Sequence, residues 1–435
     1  MEGRIKLNGC GYDVTTSSQL CISIINSYYQ QVLSYGRERS VIMEAVVHDN
    51  YCVLANTLAA HFINSSDSSR AASLLHTAKS HLLLKEFPRD LVSLKRAQIL
   101  CFNMGRPDLS LSLVNQVLPQ NEGENFIYGM LAFPLLELGQ MKEAEEAAKR
   151  GFEINNQDGW SQHATCHVLQ YECRFREAVE FMEECSPSWN SFLSFMLTHN
   201  WWHVALCYLE GNAPMQRVLE VYDNYIWKEL DKTDATVAEV YLNAVALLLR
   251  LCVRDELEFF GDRLKMLADR LADQANWYLE WHLDILTVWA LAKTGQISKA
   301  EELLKGLKER ISRMTKKKQQ IMQKGMVLAE ALYAYGRGNN KHGVELLGPD
   351  FDANDYKIIG ASDEQVDVFN EVWYIMLLNN GDAIKAIEVI EKQIKKRDGT
   401  AFLWRLLERG YKLANRPEAA IANEKAKVFE SAYFN

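Results

Sequence analysis

Proline is scarce in this chain, 8 in 435 residues, which excludes a loop-rich or disordered protein and leaves room for long helices. No Cys-x-x-Cys spacing occurs and the cysteine count is odd, 9. That pattern excludes a zinc ribbon and a disulfide framework, and the cytosol is the expected compartment. A basic excess is also missing: 48 Lys and Arg against 57 Asp and Glu leave a net charge of −9. Counterion displacement from phosphate needs a basic face, so no nucleic-acid partner is expected. The one compact basic run, Lys316-Lys317-Lys318, reads as a solvated helix face. The most apolar stretch, Val240 to Val253, is interrupted by Asn243 and Arg250 and is too short to span a bilayer, so it reads as a core helix and no membrane partner is expected. Met1-Glu2-Gly3-Arg4 lacks the basic start and apolar run of a secretory signal. Gly-x-Ser-x-Gly, the phosphate loop and Gly-x-Gly-x-x-Gly are all absent, and Gly336-Arg337-Gly338 follows no strand and reads as a helix-helix turn.

What is present is a period. Leu138-Gly139-Gln140-Met141-Lys142-Glu143-Ala144 aligns with Glu172-Cys173-Arg174-Phe175-Arg176-Glu177-Ala178 at a shift of 34 residues. Gly105 precedes Gly139 by 34, and Asn380-Gly381-Asp382 precedes Ala414-Asn415-Arg416 by the same interval. Further turns fall at Gly211, Gly295 and Gly338, with spacings that lengthen to about 40 or more. Glycine or asparagine at such a turn accepts the left-handed conformation that ends a helix. A small residue follows five positions later, at Ala144, Ala178, Ala300, Ala386 and Ala420, where it lets two helix backbones approach. Thirty-four residues is the length of a tetratricopeptide unit, two antiparallel helices and two turns, and neighbouring units must stack to bury their apolar faces. The expected fold is therefore all-α, a compact tetratricopeptide-like solenoid. Residues 1–65 are expected to supply two capping helices and residues 66–435 one continuous array, closed more tightly in the middle than an open ribbon.

Histidine is uncommon, 10 in the chain, yet four fall between residues 163 and 203 as two i,i+4 pairs, His163 with His167 and His199 with His203. On a helix each pair shares one face. The turn at Cys173 and the bend at Ser186-Pro187 put the pairs on two helices with one helix between them, so corresponding helices of successive units bring four imidazoles toward one concave groove. Around them in sequence lie Asp158, Trp160, Trp189, Asn200, Trp201, Trp202, Glu210 and Asp223. Three uses are open: polar residues that fix helix packing, a binding groove lined by imidazole and indole, or a catalytic or metal site. Neither His163-Ala164-Thr165-Cys166-His167 nor His199-Asn200-Trp201-Trp202-His203 carries glutamate after its first histidine, so the zinc-peptidase mechanism is not expected.

From Tyr128 to about Leu251 the chain resembles the tetratricopeptide repeat protein 38 family. The resemblance is carried by Tyr128-Gly129-Met130 with Phe133 and Glu137, by Asp158-Gly159-Trp160 with His163 and His167, by Trp189, by His199-Asn200-Trp201-Trp202-His203 with Ala205-Leu206, and by Tyr222-Asp223. Weaker similarity reaches Pro88-Arg89-Asp90 and Ser362 through Phe369. The resemblance implies a compact superhelix and no general activity. It also implies histidine at positions where this chain has Gln98 and Asn56, and a polar residue or histidine at Asp363.

The function expected from these features is the binding of a small organic ligand or a peptide or protein segment in the groove. His163, His167, His199 and His203 would donate and accept, with Asp158 orienting an imidazole. Trp160, Trp189, Asn200, Trp202, Asp223, Tyr128 and Glu137 would line the site. Acid–base catalysis by the same histidines with Asp158 or Asp223 is the rival, and a scaffold working through its convex surface is the third reading. No metal ion and no cofactor are assigned.

Overall fold

The computed structural model describes residues 4–6, 13–63, 74 and 90–434. Pro88, Arg89 and the expected boundary at residue 65 fall outside them. Apart from a short antiparallel pair, Arg4–Lys6 with Asp13–Thr15, the described elements are helices joined by short turns. Gly105, Gly139 and Cys173, each 34 residues from the next, have φ of 62°, 73° and 58°. Gly295, Gly338, Gly381 and Asn415 are also left-handed, whereas at Gly211 the positive φ falls one residue later, on Asn212. The turn chemistry read from sequence thus sets where each helix ends.

Two kinds of helix alternate. Met141–Ile154, Phe175–Cys185 and Ile297–Ser312 are amphipathic and form the outer layer. On Met141–Ile154 only Ala144, Ala147, Ala148 and Gly151 are buried, and a methyl group on Gly151 would run into Ser161 of the next helix. Ala144, Ala178, Ala300 and Ala386 are fully buried, as their spacing implied. Ala420 is exposed: after Pro417 the last helix starts only at Ala419, and Ala422 takes the inward place. The inner helices Gly159–Tyr171, Ser194–Glu210, Val237–Val253 and Trp281–Lys293 are buried around most of their circumference.

All-round burial requires that the concave side be covered too. Asp363–Asn380 does this, packing on Val237–Val253 from within the curve, while Ala353–Ile359 packs on both Lys316–Gly336 and Leu91–Asn103. The array therefore curls back on its own beginning. Among the described residues before 64 there are three α-helices where two helices were expected, Gln19–Leu33, Ile42–His48 and Val53–Ile63. They share a separate apolar core with Leu91, Val92, Val114, Phe126, Ile127 and Met130. Beyond it, Tyr35 reaches Trp160 and Phe195, and Arg37 pairs with Glu229.

Closure of the array also buries carboxyl groups at helix N-termini. Asp284 accepts from the Tyr278 amide at 2.9 Å and Glu239 from the Phe195 amide at 2.8 Å, yet burial pushes both up to about 7. The unfolded chain releases these protons near pH 4. Between there and about pH 7 the folded state holds more protons, so their stability contribution is complete at low pH and is lost as pH rises through the folded value. In urea titrations, the stability advantage of wild type over Asp284→Asn is expected to be smaller at pH 8 than at pH 5. An advantage that stays level across that range would contradict the buried, protonated carboxyl.

Candidate functional site

Helices Gly159–Tyr171 and Ser194–Glu210 flank Phe175–Cys185, and their two histidine pairs meet. The ring centroids of His163 lie 4.4 Å from His167, 5.0 Å from His199 and 4.8 Å from His203, and His167 lies 4.4 Å from His203. One ligand atom from each of the four falls within 4.8 Å of the others. The tetrad is enclosed: His163, His167, His199 and His203 are 2%, 1%, 4% and 0% exposed. The expected concave groove is an enclosed interior here, and Asp363–Asn380 brings a carboxylate to the tetrad.

Each imidazole is held from behind through Nδ1. His163 faces Asn200 Oδ1 at 3.2 Å, His199 faces Asn243 Oδ1 at 3.0 Å, and His203 faces Gln170 Oε1 at 2.9 Å. His167 Nδ1 is paired with the Glu364 carboxylate. An amide oxygen only accepts, so Nδ1 carries the proton in the first three and Nε2 keeps its lone pair. The orientation of Asn243 is set independently, since its Nδ2 donates to Thr198 Oγ1 at 2.9 Å and to the Glu239 carbonyl at 3.2 Å. Aromatic faces clamp the rings: Trp160 stacks on His163 at 5.1 Å and 9°, and His199 lies between Phe195 and Trp202, 5.2 Å from each.

The electrostatics divide the set. Burial, reinforced by neighbouring imidazoles, holds His163 and His203 well below the ordinary histidine range; burial takes His199 down to about 4 and the nearby His282 to about 3. Burial pushes His167 the same way, but the Glu364 carboxylate overrides it and lifts the group to about 9. Beside Glu364, burial and that carboxylate raise Asp363 to about 7; Glu137, one layer away, is raised to about 8 by burial and Asp363 against the pull of Lys357 at 2.7 Å. On the Trp160 side, Lys95 lies 4.1 Å from the Tyr35 ring centre and 4.3 Å from that of Trp160, and burial brings its ammonium down to about 7.

Not every residue expected at the site is there. Trp160, Asn200 and Trp202 touch imidazoles as described. Asp158 does not take the orienting role: it caps its helix, accepting from the Trp160 amide at 3.2 Å and Ser161 Oγ at 2.9 Å. Trp189 is core, its Nε1 donating to Gln162 Oε1 at 2.7 Å and its ring set against Trp201. Asp223 forms a half-exposed ion pair with Arg263 at 2.6 Å. Tyr128 donates to the Glu122 carbonyl at 2.9 Å, and Glu210 pairs with Arg397. Gln98 and Asn56, standing where the resemblance implies histidine, spend their amides on the Met130 carbonyl and on the Asn50 and Cys52 carbonyls. The residues missed were Gln170, Glu364, His282, Lys95 and, as a site residue, Asn243. For Asn243 a signal existed, a polar amide in the most apolar helix of the chain. For Glu364, some 160 residues beyond His203, the one signal was its place in the Ser362–Phe369 stretch of the weaker resemblance.

The fold and its hairpins define a tetratricopeptide-type helical-repeat protein. No protein-family model matches the sequence. Among solved structures, the human IFIT1 dimer with m7Gppp-AAAA is 12% identical at a TM-score of 0.42, covering 96% of this chain and 91% of that one. The human IFIT1 dimer with PPP-AAAA is likewise 12% identical, at 0.43, covering 95% and 91%. Naa15/Naa10 bound to HypK-THB is 15% identical at 0.22, covering 78% and 64%. One expectation is corrected by these structures: net charge was read as excluding a nucleic-acid partner, yet IFIT1, a helical-repeat chain, was solved with oligonucleotides. Among the described residues no helix is long and apolar enough to cross a membrane.

Proposed function

We propose that this protein binds a small polar ligand in the enclosed histidine centre. The observation that carries the reading is the set of buried polar atoms without hydrogen-bond partners at one place: His203 Nε2, Asn200 Nδ2, Trp202 Nε1 and both ring nitrogens of His282. An orphaned group costs about 1–3 kcal/mol, and several beside the four imidazoles support a binding role for the centre. Of the two ligand classes read from sequence we favour the small molecule, because the four histidines are 4% exposed or less and Glu364 of Asp363–Asn380 reaches them. The family reading we favour is the tetratricopeptide repeat protein 38 family, on the motifs around the tetrad. In this reading residues 66–435 are one continuous array and residues 1–65 cap it, with Tyr35 5.4 Å from Trp160. The cytosol is the proposed setting, in keeping with eight described cysteines that are free and buried.

Thermal unfolding of tag-free protein against small polar metabolites and against extended peptides tests this. A ligand at about 100 times its dissociation constant adds about 2.7 kcal/mol, a rise of a few degrees, expected for a small compound and abolished in Asn200→Leu. Stabilisation by peptides alone, or an unchanged shift in Asn200→Leu, would remove the enclosed centre as the site.

A further inference from the structure

We infer that the tetrad is a transition-metal site in which Nε2 of His163, His167, His199 and His203 bind one divalent first-row ion. The inference rests on the reading of the centre as a binding site and names what it holds, where the sequence alone assigned no metal.

Three observations carry it. The first is convergence: four ligand atoms lie within 4.8 Å of one another on two buried helices. An ion at about 2.1 Å from four tetrahedral nitrogens sets them about 3.4 Å apart, so the widest-spaced side chains would draw in by up to about 1.4 Å. The second is tautomer. Imidazoles that bind metals hold their other ring nitrogen on an oxygen acceptor, which fixes both the ring and the lone pair. All four do so here, on Asn200, Asn243, Gln170 and the Glu364 carboxylate. The third is the inner face left by that arrangement. His163 Nε2 and His167 Nε2 are 2.9 Å apart, and His203 Nε2 is buried with no hydrogen-bond partner. A cation bound there takes the place of the one proton that His163 and His167 share and adds bonds to His199 and to the unpartnered His203 nitrogen.

The donor set narrows the ion. Neutral imidazoles suit zinc, iron, copper and nickel rather than calcium or magnesium, which take oxygen. Asp363 and Glu364 form a second close set with His167, half-open rather than buried. Glu364 already engages His167 Nδ1, so the carboxylates serve as the outer charge balance and not as ligands.

The test is elemental analysis of tag-free protein as purified, and again after chelator treatment and reloading with Zn(II), Fe(II), Mn(II) or Co(II). The expected result is about one equivalent of ion, lost in His163→Ala/His203→Ala, with Co(II) absorption bands in wild type that the double variant lacks. Because two buried histidines are removed there, Gln170→Leu provides the second arm. It keeps every ligand and removes only the oxygen behind His203, and such a loss lowers metal affinity by about 10- to 100-fold. Wild type that carries no ion and takes up none of the four overturns the site, as does an ion retained by the double variant or an unchanged affinity in Gln170→Leu. If no ion binds while a small polar compound still stabilises the protein through Asn200, the metal falls and the enclosed ligand site stands; if neither binds, both fall.

Discussion

Glu371→Ala is expected to cost about 3–5 kcal/mol, the penalty for stranding a buried charge whose partner has been removed. Glu371 sits on Asp363–Asn380 and takes both arms of the Arg254 guanidinium, at 2.6 and 2.8 Å, with Arg250 at 3.4 Å. The three side chains are 5%, 5% and 1% exposed, and the Arg254 guanidinium also lies over the Phe402 ring at 4.1 Å. Burial alone would raise the Glu371 carboxyl; Arg254 and Arg250 override it and hold it below the ordinary range, so the carboxylate is charged in the fold. Removing it leaves two guanidinium groups in the interior without the anion that offsets their desolvation. A loss of that size is a large share of the 5–15 kcal/mol that ordinarily holds a domain together. Urea unfolding followed by circular dichroism measures it. Asp223→Ala, which opens the half-exposed pair with Arg263, is the natural control and is expected to cost less than about 1 kcal/mol. Equal losses in the two variants would mean that the interior ion cluster is not what ties Asp363–Asn380 to Val237–Val253.

Trp202→Ala is expected to be comparably severe, about 3–5 kcal/mol by the usual cost of emptying a buried aromatic site. Its side chain is 1% exposed, stacked on His199 at 5.2 Å and 12°, with the Arg250 guanidinium 5.9 Å from its ring centre. The indole is thus packed between the histidine centre and the ion cluster. Trp202→Phe keeps a flat ring against His199 and, since the unpartnered indole Nε1 is removed with it, is expected to retain most of the stability. The pair of variants separates two losses: Ala removes packing and ring support together, Phe mostly volume. Should Trp202→Ala unfold at the same urea concentration as wild type, the indole would not be part of the packed interior.

The local half of the architecture was legible in the chain. Gly105, Gly139 and Cys173 sit where a helix must end, because the turn chemistry is a property of a few consecutive residues. The i,i+4 histidine pairs could be put on one face for the same reason. Ala420 shows where such reasoning stops: Pro417 delays the next helix, and the small residue that packs is Ala422.

Arg250 and Asn243 mark the middle ground. Both were visible as polar interruptions of an apolar helix, a position that demands a partner. Their partners, Glu371 for the one and His199 for the other, lie far along the chain and leave no trace near them.

Turns, helix faces and the pairing of histidines follow from forces acting within about one repeat, and residue order is enough to state them. Whether the concave side was an open groove or a filled interior depended on how far the array curls, the sum of many small rotations between neighbouring helices. That curl brings Glu364 to His167, Glu371 to Arg250 and Ala353–Ile359 onto Leu91–Asn103. Contacts of such span are selected by the packing of the whole chain, so the enclosure of the four imidazoles, and with it the kind of ligand they can hold, was decided in three dimensions.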